Sequence, residues 1–200
     1  MDEATAVDMP MHQGDIMTSV IPAMSAGSTM SGIQMTPLTS MAQTMAQGMS
    51  GGMIPANITV ANTAVGNYFM VSDILHVQPM NPLQQGSGAA ADQNMKNYGM
   101  AIAAMSQLAK DVGMPFSSGM VTAMMNDASD GHMNGMMGNS SIMMGGGMMG
   151  GTMMSPNAGT SGMSNAMQEF IQSTMNKSGI TVQDMQSLIN KLMTSNGVIQ

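Results

Sequence analysis

Apolar residues recur at three- and four-residue spacing in several stretches of this chain, and each stretch reads as an amphipathic helix. Leu38, Met41, Met45 and Met49 share one face after Thr36, which suits an N-cap, and Pro37, which suits the first helical position; Gly51-Gly52 stops the run. A second helix is expected from Asn57 to about Met70, with Ile58, Ala61, Val65 and Phe69 on one stripe. Pro79 and Pro82 break the chain before the longest pattern, Ala89 to Val112. There Met95, Tyr98, Ile102, Met105, Leu108, Ala109 and Val112 form a continuous apolar face, and Gly113 supplies the stop. Ser117 or Ser118 caps a shorter segment through Met120, Val121, Met124 and Met125. Met167, Phe170, Ile171 and Met175 mark another helix ending near Lys177-Ser178-Gly179. Met185, Leu188, Ile189 and Leu192 mark the last, which stops at Asn196-Gly197.

No stretch alternates as a strand does, so the fold expected is all-α, a small bundle of five or six helices with flexible Met/Gly-rich segments. Residues 1–35 scatter Asp, Gly, Ser and Thr between isolated methionines and read as a flexible N-terminal segment. Residues 36–130 form the first part of the helical domain. Residues 131–162 are a Gly/Met-rich low-complexity stretch that buries too little to offset its chain entropy, so mobility is expected there without a ligand. Residues 163–200 read as a helical hairpin packing on the first part.

The helical segments also carry a resemblance. MTPLTSMAQ at Met35 to Gln43, NITVANTAVGNYFMVSDIL at Asn57 to Leu75, NYGMAIAAMSQLAKDVG, NDASDGHMNG and the closing AMQEFIQSTMNKSGITVQDMQSLINKL resemble an α-helical domain recurring in bacterial secreted proteins and lipoproteins of unknown function. The usual form of that domain reads like TPLT, AAN-AV, YA-ALAALS-LA and DLADG-LDG, and the likeness covers about three quarters of the chain. It implies a helical fold and export, with no catalytic residues to carry over. The chain departs from the pattern by placing Met where Leu, Ala or Asp is usual, and by the Gly-Met stretch after Gly135.

Composition narrows the chemistry. The chain has 200 residues, with four Lys and no Arg against eleven carboxylates for a net charge of −7, and 2% aromatics. Phosphate binding needs a basic surface and base stacking needs aromatic platforms, so nucleic acid is not an expected partner. Cysteine is absent, which excludes disulfides, Cys-based zinc sites, iron–sulfur clusters and thiol catalysis. No run of about 18 apolar residues is present, so no transmembrane segment is expected. The acidic start Met1-Asp2-Glu3-Ala4 is not a signal peptide, so an exported protein would be seen here in mature form. No serine sits in a nucleophile elbow and no motif positions a carboxylate pair, so no enzyme is expected.

Thirty-four methionines remain. Thioethers are soft, neutral donors favouring Cu(I), but methionine also fills cores, so position must separate the two uses. Met41, Met45, Met95, Met105, Met167, Met175 and Met185 lie on helical faces and need only be core. Two clusters and a series of doublets lack that explanation. Asp8-Met9-Pro10-Met11-His12-Gln13-Gly14-Asp15-Ile16-Met17 gathers the thioethers of Met9, Met11 and Met17 with the His12 imidazole, and resembles the Met/His segments of periplasmic copper-resistance proteins. Asp130-Gly131-His132-Met133-Asn134-Gly135-Met136-Met137 again places a histidine among thioethers. Met124-Met125, Met136-Met137, Met143-Met144, Met148-Met149 and Met153-Met154 are five doublets within 31 residues, most of them separated by Gly, Asn, Ser or Thr. Glycine weakens helix and strand alike, so these doublets are expected to have no regular face to bury.

The candidate metal ligands are therefore Met9, Met11, His12, Met17, His132, Met133, Met136, Met137, Met143, Met144, Met148, Met149, Met153 and Met154, and the expected ion is Cu(I), with Ag(I) as its chemical analogue. Calcium is a weaker candidate. Asp127-Ala128-Ser129-Asp130-Gly131 followed by Asn134 lacks the alternating oxygens and closing Glu of a full calcium loop. The Gly86-Ser87-Gly88 turn opens a helix without a preceding strand, which is weak for a nucleotide site. His76, between Leu75 and Val77, reads as a hydrogen-bonded interior or boundary residue. The function expected is a periplasmic or extracellular Cu(I) buffer, scavenger or chaperone whose partner is a soft metal ion. The alternatives are a structural or adhesive surface protein with Met-rich segments for self-association or surface assembly, and a methionine-based oxidant scavenger.

Overall fold

Thr36 begins the helical part of the chain as its sequence suggests. Its hydroxyl accepts from Thr39 N–H while the Thr39 hydroxyl accepts from Thr36 N–H, a reciprocal cap, and Pro37 takes the first helical position of α1, Pro37–Gly48. The computed structural model describes residues 1–144 and 151–200. Among them the helices continue with α2 (Pro55–Tyr68), α3 (Ser87–Ala90), α4 (Gln93–Asp111), α5 (Ser118–Ala128), α6 (Met163–Gln172) and α7 (Gln186–Met193). The molecule is thus mostly helical, as expected, yet two small antiparallel ladders lie between α5 and α6. One pairs β1 (Met136–Met137) with β2 (Ser140–Ser141), and the other pairs β3 (Met143–Met144) with β4 (Thr152–Met153). A wide turn over Ala158–Gly162 leads into α6.

The helices form where apolar periodicity and end signals agree, and they shift where a local signal was overridden. α2 starts at Pro55, a residue pre-set for the first turn, rather than at Asn57. The Asn57 amide instead donates to Ser50 O and Gly52 O, bracing the turn that ends α1. The pattern running from Ala89 to Val112 is two helices. Ala91 is extended and Asp92 caps α4 by accepting from Met95 N–H, which ends α3 after one turn.

α1 packs on α2 and α5, α4 packs on α6 and α5, and α6 packs on α7. Between them lies one core in which Leu38, Phe69, Tyr98 and Phe170 are fully buried. Tyr98 shows how its polar atom is satisfied: the hydroxyl donates to Ile74 O at 2.8 Å and lies 2.6 Å from the Thr36 hydroxyl, joining α4 to the cap of α1. Gly99, next on α4, lets the helix approach the loop at Met80 so closely that an added Cβ would stand 2.1 Å from the Met80 carbonyl oxygen.

Residues 1–35 contain neither helix nor strand, yet much of the segment is tied down. Thr18 N–H donates to the Ser40 hydroxyl, the Thr39 hydroxyl donates to Thr18 O, and the Asn62 amide donates to Val20 O. Residues 23–32 are exposed throughout. No helix among the described residues is long and apolar enough to cross a membrane.

Candidate metal centre

The N-terminal segment reaches its place through two carboxylates. Asp2 is buried and accepts from the Ser106 hydroxyl of α4 at 2.7 Å and from Thr5. Burial pushes its carboxyl up, but the hydroxyls of Thr5, Ser117 and Ser106 together outweigh that and hold it below the usual carboxylate range. For its neighbour Glu3 desolvation wins and the carboxyl is raised. Asp15 accepts from the Ser118 hydroxyl at 2.7 Å and the Thr122 hydroxyl at 2.6 Å, both on α5. The chain between these anchors therefore crosses the α4–α5 surface.

That crossing brings three of the sequence candidates together. Met9, Met11 and Met17 line one cavity of about 200 Å³, and Met1 of the same segment and Met105 of α4 complete its methionine lining. Serine hydroxyls from Ser106, Ser117 and Ser118, with Asp2 and Glu3, form the polar part of the wall. Neutral sulfur donors beside anionic oxygen suit a soft cation, because sulfur supplies the coordination and the carboxylates offset the charge. His12 is not part of that lining. Its exposed ring stands 5.5 Å from the Phe116 ring, while the His12 backbone N–H donates to the Ser118 hydroxyl. Met1 and Met105 were not among the sequence candidates. Met105 sits on a helical apolar face, and nothing local to it signals a second use.

The second cluster is dispersed by the fold. Met133 is buried against Gly159, where a Cβ would meet its side chain at 2.5 Å, and Met144 and Met154 also enter the core. Met136 is half-buried, while Met137, Met143 and Met153 are exposed. Three doublets thus do find a face to bury: in extended backbone successive side chains point oppositely, so Met136, Met144 and Met154 turn inward while their neighbours Met137, Met143 and Met153 turn outward. The β ladders supply the regularity that glycine was expected to forbid. Met148 and Met149 lie outside the described residues. His132 is exposed and directed by Asp130, whose carboxylate accepts from its N–H and lies 3.6 Å from its Nδ1.

The Asp127 to Asn134 stretch is organised by its own backbone. Asp127 is fully buried, and its Oδ1 accepts from Asn134, Gly135 and Met136 N–H at 2.9, 2.7 and 3.2 Å. Asp130 accepts from His132 and Gly138 N–H. Desolvation pushes the Asp127 carboxyl up to about 6 against those three donors. Among the described residues, no group of three or more His, Asp or Glu side chains is placed to hold a metal ion. His76 is exposed rather than interior, and its Nδ1 lies 2.7 Å from the Asp73 carboxylate.

No family model, curated protein sequence or solved structure matches the chain, so the resemblance of its helical segments rests on their sequence patterns alone.

Proposed function

We propose that this protein is an exported binder of Cu(I), and of Ag(I) by the same chemistry, acting as a buffer, scavenger or chaperone rather than as an enzyme. The observation that carries the reading is the convergence of Met9, Met11 and Met17 with Met1 and Met105 around one cavity. Isolated along the chain, these residues would be ordinary apolar side chains; gathered around one space they are a set of soft donors. The export part of the reading draws on the helical-segment resemblance and on the absence of cysteine, which leaves thioether as the only sulfur ligand. Thioethers need no deprotonation to bind, so affinity should survive acidification better than at imidazole or thiolate sites.

Titration of the intact chain with Cu(I) against a competing chelator tests this. Met9→Leu/Met11→Leu/Met17→Leu is expected to lower affinity at least tenfold while leaving the helical content unchanged, because Leu preserves volume and apolarity. An unchanged affinity contradicts the assignment of the cavity.

One observation favours a second reading for part of the methionine set. Met133, Met144 and Met154 pack in the core as leucines would, consistent with a structural use of methionine in residues 131–162. Under a wholly structural or adhesive function, Leu at all five cavity positions would leave the protein's behaviour unchanged with or without metal.

A further inference from the structure

The second ladder places two thioethers opposite each other on the outside of the molecule. Met143 of β3 pairs directly with Met153 of β4, and the two side chains are 54% and 63% exposed. The bond from Met154 N–H to Ile142 O, at 2.8 Å, flanks this pair and fixes its type. Met143 and Met153 form a non-hydrogen-bonded pair, the kind in which facing side chains come closest, with Cβ atoms about 4.5–5.5 Å apart.

Packing does not account for the pair. The inward side of the same strands is already occupied: Ile142, Met144 and Met154 are buried and hold the ladder to the core, so the outward residues are not needed for burial. Threonine or a charged residue is the ordinary choice on the solvent side of a two-stranded ribbon. Met143 and Met153 are neither. Each methionine has three rotatable side-chain bonds, so sulfurs starting from facing Cβ atoms can close on one ion between them.

We propose that Met143 and Met153 form a second soft-metal site, a two-thioether chelate on the protein surface that takes one Cu(I) or Ag(I). It rests on the reading of the chain as a binder of soft ions but shares no residue with the cavity of Met9, Met11 and Met17. With two donors and solvent on one side, the ion keeps open coordination positions. The pair therefore binds more weakly than the five-thioether cavity and exchanges its ion faster. The net charge of −7 favours arrival of any cation at such an exposed point.

Ag(I) is a redox-inert probe of both sites. The full chain, labelled with ¹³C in its methionine methyl groups, is titrated with Ag(I), and signals are assigned through single Met→Leu variants. The methyl signals of Met143 and Met153 should shift together along one saturation curve, at higher Ag(I) than the signals of Met9, Met11 and Met17. In Met9→Leu/Met11→Leu/Met17→Leu the Met143 and Met153 shifts should persist. In Met143→Leu/Met153→Leu native mass spectrometry should count one bound Ag(I) fewer. Failure of the two signals to move, or movement along separate curves, overturns the chelate. Loss of the cavity shifts with these two retained would instead overturn the cavity assignment and leave the surface site standing.

Discussion

Asp127 has been withdrawn completely from solvent at the end of α5, where Oδ1 collects three backbone N–H groups while Oδ2 is buried without a partner among the described residues. Three donors favour the carboxylate, and desolvation opposes them and prevails, raising the carboxyl to about 6. A carboxyl raised in the folded state binds its proton more tightly there than in the unfolded chain. Its contribution to stability is therefore present in full below about pH 4 and is lost as pH rises through about 6. Asp127→Asn keeps an acceptor at Oδ1 and removes the titration. Chemical unfolding of both proteins between pH 4 and 7 should show the wild type losing ground to the variant as pH rises, by on the order of 2–3 kcal/mol across the window. A difference constant with pH would contradict the assignment. The Asp127-to-Asn134 pattern was visible in the sequence only as an incomplete calcium loop, because nothing in the spacing tells a carboxylate that grips its own backbone from one that faces an ion.

Elements were legible where several local signals coincided and obscure where they competed. α1 carried its cap, its proline and its apolar stripe within one short stretch and starts as that stretch reads, though it ends at Gly48, with Met49 already extended ahead of the Gly51-Gly52 pair. The break between α3 and α4 was hidden because Ala89, Ala90 and Ala91 are helix formers that bridge the true cap at Asp92. The ladders were hidden for a different reason: strands of two residues are too short to show an alternation, and methionine has no β-branched signature. Thr36 and Gly99 give element-scale tests. Thr36→Ala removes the α1 cap and one partner of Tyr98, and should cost about 1–2 kcal/mol by denaturant titration. Gly99→Ala improves intrinsic helix propensity by about 1 kcal/mol yet drives a Cβ into the Met80 carbonyl, so a net loss of thermal stability is expected. A gain would mean that the Met80 loop yields at little cost.

At the scale of the molecule, the candidate centre is a product of long-range folding. Asp2 meets Ser106 and Asp15 meets Ser118 and Thr122 across more than a hundred residues of sequence, and these bonds lay Met9, Met11 and Met17 over α4 and α5. The sequence showed the three thioethers and their type, but not that Met105 would join them, nor that His12 would stand aside. It likewise showed the doublets but not their division into Met144 and Met154 within the core and Met143 and Met153 outside. The claim on which the functional account turns is that sulfur, and not nitrogen or oxygen, holds the ion. X-ray absorption at the copper edge of the full chain loaded with one equivalent of Cu(I) tests it most directly. A first shell of sulfur scatterers alone is expected, depleted in Met9→Leu/Met11→Leu/Met17→Leu. A first shell of nitrogen or oxygen in the unaltered protein would contradict it.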